Sequence, residues 1–319
     1  MTPLLNSEDH RISGHFQPAG SGTLVISFNQ MRMGLADKGF GSEFILSKGH
    51  DHIFVAEGGN SHYQFLSQEQ FAQTVAPVAA NYDRVFLYGY DLGGYAALFY
   101  SGSVSGTAVA LAPRLAAHPS FARHLTEAEQ ASFRDCLILH PDMALVADPA
   151  ARPIVLFDPR STPDADFVAR FVSANWPKRR EVPLPGAGHR VPQILAYQGL
   201  LDPVLSHVFA TGEVPEFHYD MNYLPLRHMT KALKALEQGE FVRAGRLLSQ
   251  LAAAPETPGF QDASAYWEEK TGKSLEKKLR KRPAKGTNSL AARPPKAAKA
   301  DKGAKVAKRK SPPRRPPLA

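Results

Sequence analysis

Cysteine is nearly missing from this sequence of 319 residues: Cys136 stands alone, so no disulfide can form within the chain, and a reducing, cytoplasmic setting is expected. Long apolar runs are missing too. None approaches the roughly 20 residues that a membrane-crossing helix needs. The first ten residues lack both a basic segment and an apolar one, so no secretory leader is expected. Tryptophan is limited to Trp176 and Trp267, and from Lys277 onward there is no aromatic residue at all. That last stretch also has almost no acid. Without aromatics it cannot bury enough apolar surface to offset the entropy of ordering, which predicts a disordered tail over 277–319.

What is present divides unevenly. Hydrophobic residues make up 43% of the chain, ordinary for a protein with a sizeable core. The net charge of +8 hides two opposite regions, because 16 of the 38 Lys and Arg but only one of the 30 Asp and Glu lie from Lys277 on. The tail therefore carries +15 and the body −7. Such a tail is expected to draw nucleic acid or another anionic surface without reading sequence, and its other reading is a solubilising extension.

Apolar runs separated by helical patterns give the architecture. His10–Phe16 alternates like an edge strand, and Thr23–Phe28 is apolar on both faces, as a central strand must be. His52–Glu57, Arg84–Tyr88, Thr107–Ala112 and Pro153–Phe157 follow as buried strands. Glu181–Pro185, with two prolines, fits only an edge. A helical pattern over Gln68–Val78 precedes the Arg84 strand, and Tyr95–Tyr100 opens a helix after it. Strands alternating with helices predict an α/β fold with a doubly wound, mainly parallel sheet, and ligands bind beyond the carboxyl ends of such strands. A different pattern runs from Leu226 to Leu251, where Leu233, Leu236, Phe241, Ala244, Leu247 and Leu248 have the spacing of one tetratricopeptide-type helix pair around Gly239. The expected organisation is thus 1–212 as the α/β domain, 213–276 as a helical appendage, and 277–319 as the tail.

The chain is organised around Gly89-Tyr90-Asp91-Leu92-Gly93, where a strand reverses into a helix within a few residues. The glycines remove side chains that would clash in so sharp a turn, leaving the Asp91 side chain at the edge of the sheet. This stretch resembles the G-x-S-x-G nucleophile elbow of the α/β-hydrolase fold, with Asp91 where serine usually stands. Gly186-Ala187-Gly188-His189 is similar to the histidine loop of the same fold. The resemblance covers roughly residues 10 to 210. It implies the chain order nucleophile, acid, histidine, met here by Asp91, an acid among Asp158, Asp164 and Asp166, and His189.

A carboxylate is already ionised at neutral pH and can attack carbon without a base, giving an aspartyl ester that a His189-activated water would hydrolyse. Haloalkane dehalogenases and epoxide hydrolases use an aspartate at this point. The resemblance to them stops at Asp91, because they usually place tryptophan where this chain has Leu92. The glycine-rich helix start after Asp91 looks more like serine hydrolases of the same fold associated with bacterial surface glycans. The backbone N–H groups of Leu92 and of Asn29 or Gln30 are the expected oxyanion donors.

Arg114, His62 and Tyr63 follow strand ends and are expected to line the substrate site, with Arg114 either binding an anionic group or pairing with Asp91. Asp158 and Asp164 are the favoured acids, and Asp164 or Asp166 has the alternative of capping the following helix. His50-Asp51-His52 looks like a ligand set but precedes a strand, on the edge away from the site, so neither metal nor cofactor is expected. Two readings stay open: a hydrolase acting on an ester or related small molecule, and an inactive member of the fold acting as a binding or scaffold protein.

Overall fold

The computed structural model describes residues 1–275 apart from 19, 32, 59, 60, 221–223, 253–256 and 258. The tail expected over 277–319 lies outside the described residues. Eight strands form one sheet in the order β1-β2-β4-β3-β5-β6-β7-β8, with β1 at Thr2–Asn6, β2 at His10–His15, β3 at Thr23–Phe28, β4 at Asp51–Glu57, β5 at Arg84–Tyr90, β6 at Thr107–Leu111, β7 at Ile154–Phe157 and β8 at Arg180–Pro183. Pairing is antiparallel for β1 with β2 and β2 with β4, and parallel from β4 through β8.

All six residues of β3 are buried, and alternate side chains feed opposite layers: Leu24, Ile26 and Phe28 enter one core cluster and Val25 the other. The first layer is closed by α2 (Gln68–Ala79) and α3 (Leu92–Ser101), and all ten α3 residues are buried. Between β3 and β4 runs α1 (Ser42–Ser47), which contributes Ile45 to the second layer. That layer is completed by α7 (Val191–Tyr197) and α8 (Leu201–Thr211), which add Leu195 to it and set Phe209 against Phe86 and Tyr88. Burying a side chain of this size stabilises the fold by about 2 kcal/mol.

Two expectations about edges differ in outcome. The strand at His10–His15 is not an edge, because β1 covers it, pairing Thr2 with Gly14 and Asn6 with Arg11. β1 is short, mostly exposed and carries Pro3, so it has no buried pattern to announce it. β8 does lie at the far edge, where its proline needs no ladder partner on the open side.

The 112–153 crossover holds only short helices, a 3₁₀ turn at Pro119–His124, α4 (Glu127–Ser132) and α5 (Met143–Val146). After β7 comes α6 (Thr162–Phe167). The C-terminal part has three helices rather than a pair: α9 (Leu224–Glu237), α10 (Phe241–Leu251) and α11 (Phe260–Thr271). They share a core of their own, in which Trp267 packs on Gly245 so closely that a β-carbon there would collide with the indole. The Trp267 Nε1–H donates to Phe241 O at 2.6 Å, which joins α11 to the start of α10.

Candidate functional site

Asp91 sits at φ 55°, ψ −121°, a backbone region that costs a residue with a side chain about 1–3 kcal/mol. The surroundings over-determine it. A β-carbon at Gly89 would collide with the Gly93 carbonyl, and one at Gly93 would lie 2.6 Å from Phe28 O. The Asp91 N–H donates to Leu111 O at 3.1 Å, while its carbonyl accepts from Tyr95 N and Arg114 N at 3.1 and 3.0 Å. The main chain is thereby pinned to β6, to α3 and to the segment after β6. The side chain is left partly exposed.

His189 bridges two carboxylates. Its Nε2 is 3.2 Å from Asp91 Oδ1 and its Nδ1 is 2.9 Å from Asp164 Oδ1. Asp164 is fully buried, and Asp91 and His189 are partly exposed. Burial by itself would lower the imidazole pKa, but the hydrogen bonds to Asp164 and Asp91 and the charge of Asp91 outweigh it and hold His189 above its ordinary value. Burial likewise pushes Asp164 up, and the hydrogen bond and charge of His189 together with the Arg114 charge reverse this, leaving its carboxyl below the usual range. His189 and Asp164 thus each favour the charged form of the other.

Of the three acids open at the sequence level, Asp164 is the one brought to His189. Asp158 is turned the other way. Its Oδ2 accepts from Gly186 N at 3.0 Å and Gly188 N at 2.7 Å, and its Oδ1 from Arg160 N at 2.8 Å, so it clamps the loop that carries His189. Asp166 binds Arg123, His124 and Arg170 and ties the 3₁₀ turn to α6.

Four other expected positions are corrected. The Asn29 N–H donates to Val55 O at 3.0 Å, so the sheet has already used it as a donor; the Gln30 N–H donates to Asn29 Oδ1 at 3.2 Å. Leu92 keeps its place at the first turn of α3, where helix N–H groups have no intrahelical partner. Arg114 pairs with neither Asp91 nor open space. Its Nη2 donates to Asp164 Oδ1 at 2.6 Å and the guanidinium lies 5.2 Å from the Phe121 ring centre. Tyr63 is wholly buried, with its hydroxyl donating to Asn29 O and sharing contact with Val55 O. His62 is buried too, its Nδ1 2.9 Å from Cys136 Sγ and its ring against Phe133. Both belong to the core beneath the 112–153 crossover. The cluster His50-Asp51-His52 is dispersed: His52 meets Ser27 inside the sheet, and Asp51 accepts from Gln17 N and the Tyr82 hydroxyl. Among the described residues no group of three or more His, Cys, Asp or Glu could hold a metal ion, and no helix is long and apolar enough to cross a membrane.

Sequence reasoning missed the Asp158 clamp and the α9 residues that line a cavity together with His189. The first had a signal, since a buried acid at a strand end commonly binds loop N–H groups. The second had none, because α9 lies far along the chain.

No protein-family model matches the sequence, and no curated protein matches it. Solved structures do resemble it. The capsule O-acetyltransferase of Neisseria meningitidis serogroup A is 12% identical, with 63% of this chain and 92% of that chain covered and a TM-score of 0.46. An esterase of Pyrococcus furiosus is 13% identical, over 65% and 87%, with a TM-score of 0.45. Mouse alpha/beta hydrolase domain-containing protein 10 is 13% identical, over 66% and 99%, with a TM-score of 0.42. At such values these likenesses say nothing of activity. The eight-strand order with β2 antiparallel, the sharp turn after β5 and the histidine loop after β8 give this chain the α/β-hydrolase fold.

Proposed function

We propose that the protein is a hydrolase that uses Asp91 as its nucleophile and His189 to activate water, on a small substrate with an electrophilic carbon such as an ester or a related compound. The observation that carries this reading is the Asp91–His189–Asp164 line itself, a strained elbow carboxylate 3.2 Å from an imidazole that a buried acid orients.

The two steps follow from the charges. In the first, an Asp91 oxygen forms a bond to a saturated carbon of the substrate, in an ester the alkyl carbon of its alcohol part, while the bond from that carbon to the leaving group breaks, and the leaving group departs with the electron pair. Esterified Asp91 no longer carries a negative charge. One of the influences holding His189 protonated is thereby removed, and its Nε2 proton passes to the departing anion or to solvent. The neutral imidazole then takes a proton from water, whose oxygen attacks the ester carbonyl. The oxyanion is met by the Leu92 N–H at the start of α3. Collapse releases the alcohol and restores both the Asp91 carboxylate and the imidazolium. Asp164, held by Arg114, keeps the ring oriented throughout.

The test is intact-mass spectrometry of His189→Ala after incubation with haloalkanes, epoxides and activated esters. An adduct that maps to Asp91, and that disappears in the additional Asp91→Asn variant, is the expected result. No adduct in any arm, with no turnover by the natural sequence, removes the hydrolase reading.

A further inference from the structure

The histidine loop and helix α9 enclose a cavity of about 420 Å³, a size that suits a small organic ligand. His189 lines it, and through His189 it adjoins the Asp91–His189–Asp164 group. Ile194 from α7 and Met229 and Leu233 from α9 give it an apolar wall. Its charged lining is uneven. Arg190 and Lys234 line it, one from each side, with Glu237 as its acid, and neither cation forms an ion pair with a described residue. Arg114, by contrast, is spent on Asp164. Gln193 also lines the cavity, and its Oε1 is buried without a hydrogen-bond partner among the described residues. A buried acceptor left in this state costs free energy that a donor on a ligand would recover.

We propose that this cavity binds the anionic portion of the substrate, a small hydroxylated organic anion, carboxylate or phosphate monoester, carried on an apolar frame. The assignment of its reacting end rests on the hydrolase reading above. The anion takes charge-assisted hydrogen bonds from Arg190 and Lys234, which line the cavity from separate parts of the chain. The frame lies against Ile194, Met229 and Leu233, and a hydroxyl donates to Gln193 Oε1. Helix α9 then supplies half of the specificity of a site whose chemistry belongs to the sheet.

The experiment is isothermal titration calorimetry on the full chain carrying Asp91→Asn, so that turnover does not intrude. The probes are 4-hydroxybenzoate and phenyl phosphate, with neutral 4-hydroxybenzamide as the control. Both anions are expected to bind, and the amide about tenfold more weakly, as loss of a charge-assisted contact implies. Arg190→Gln and Lys234→Gln should each weaken anion binding by about tenfold on the same ground. Glu237→Gln should tighten it, an outcome that a merely misfolded variant cannot imitate. Absence of anion binding overturns the proposal. So does binding indifferent to Arg190, Lys234 and Glu237, as it would be if the basic tail alone held the anion. Arg190- and Lys234-dependent binding, with neither an Asp91 adduct in His189→Ala nor turnover by the natural sequence, would instead overturn the hydrolase reading and leave the anion site standing.

Discussion

At the elbow, glycine is needed because there is no room. Gly89 and Gly93 press against the Gly93 carbonyl and against Phe28 O, so packing of the main chain itself fixes where Asp91 points. In the histidine loop, Gly188 has φ +60° and open space around its α-carbon. That loop is held by one carboxylate instead, through the Gly186 and Gly188 N–H groups bound to Asp158. Asp91 and His189 are thus positioned by unlike means: one by sterics within five residues, the other by a carboxylate 28 and 30 residues away in sequence. A turn set by sterics is indifferent to charge. A loop set by a carboxylate is not.

The largest expected effect is at the elbow. Gly89→Ala forces a β-carbon into a carbonyl with no flexible atom to yield, so a loss of about 3 kcal/mol or more is expected in urea unfolding. A loss below 1 kcal/mol would mean that the turn has slack, and the contrast would collapse. Asp158→Ala should come next, at about 2 kcal/mol, because hydrogen bonds to a charged acceptor are lost and buried N–H groups remain. Amide exchange should quicken at 186–189 and stay unchanged at 89–93. Equal acceleration at both loops would show that the clamp is not local.

The charge on His189 sharpens the comparison further. Its raised pKa means that its contribution to stability is present below the ordinary histidine value and is lost as pH rises through the folded one. Asp164 behaves oppositely. Its contribution is present above the ordinary aspartate value and is lost as pH falls through its lowered one. Removing the Asp91 charge with Asp91→Asn should lower the His189 pKa, read from imidazole carbon shifts by NMR. No movement would mean that the elbow does not set the state of the loop. Smallest of all is Gly188→Ala, where only the positive φ resists, at about 1 kcal/mol.

The central strands were legible because β3 to β7 are short apolar runs, and their burial on both faces leaves few other readings. β1 was not, since an exposed edge strand needs no hydrophobic pattern. The third helix of the C-terminal part escaped for a related reason. Phe260–Thr271 shows little apolar periodicity, and its place is set by one tryptophan fitting over one glycine. At the site, Asp91 and His189 stood out by their glycine-rich turns, whereas His62 and Tyr63 misled because a strand end can turn back into the core as readily as toward a ligand.

The sequence by itself determined the strand, turn and helix around Asp91 and the order in which Asp91, Asp164 and His189 follow one another. Those depend on sterics and hydrophobic pattern over a few neighbouring residues. Only the tertiary structure decided that Asp164 rather than Asp158 meets His189, that Arg114 is spent on that acid, and that α9 closes a cavity beside it. Each of these is a contact between segments tens of residues apart, where a shift of a few ångströms exchanges one carboxylate for another. Local pattern carries no measure of that distance.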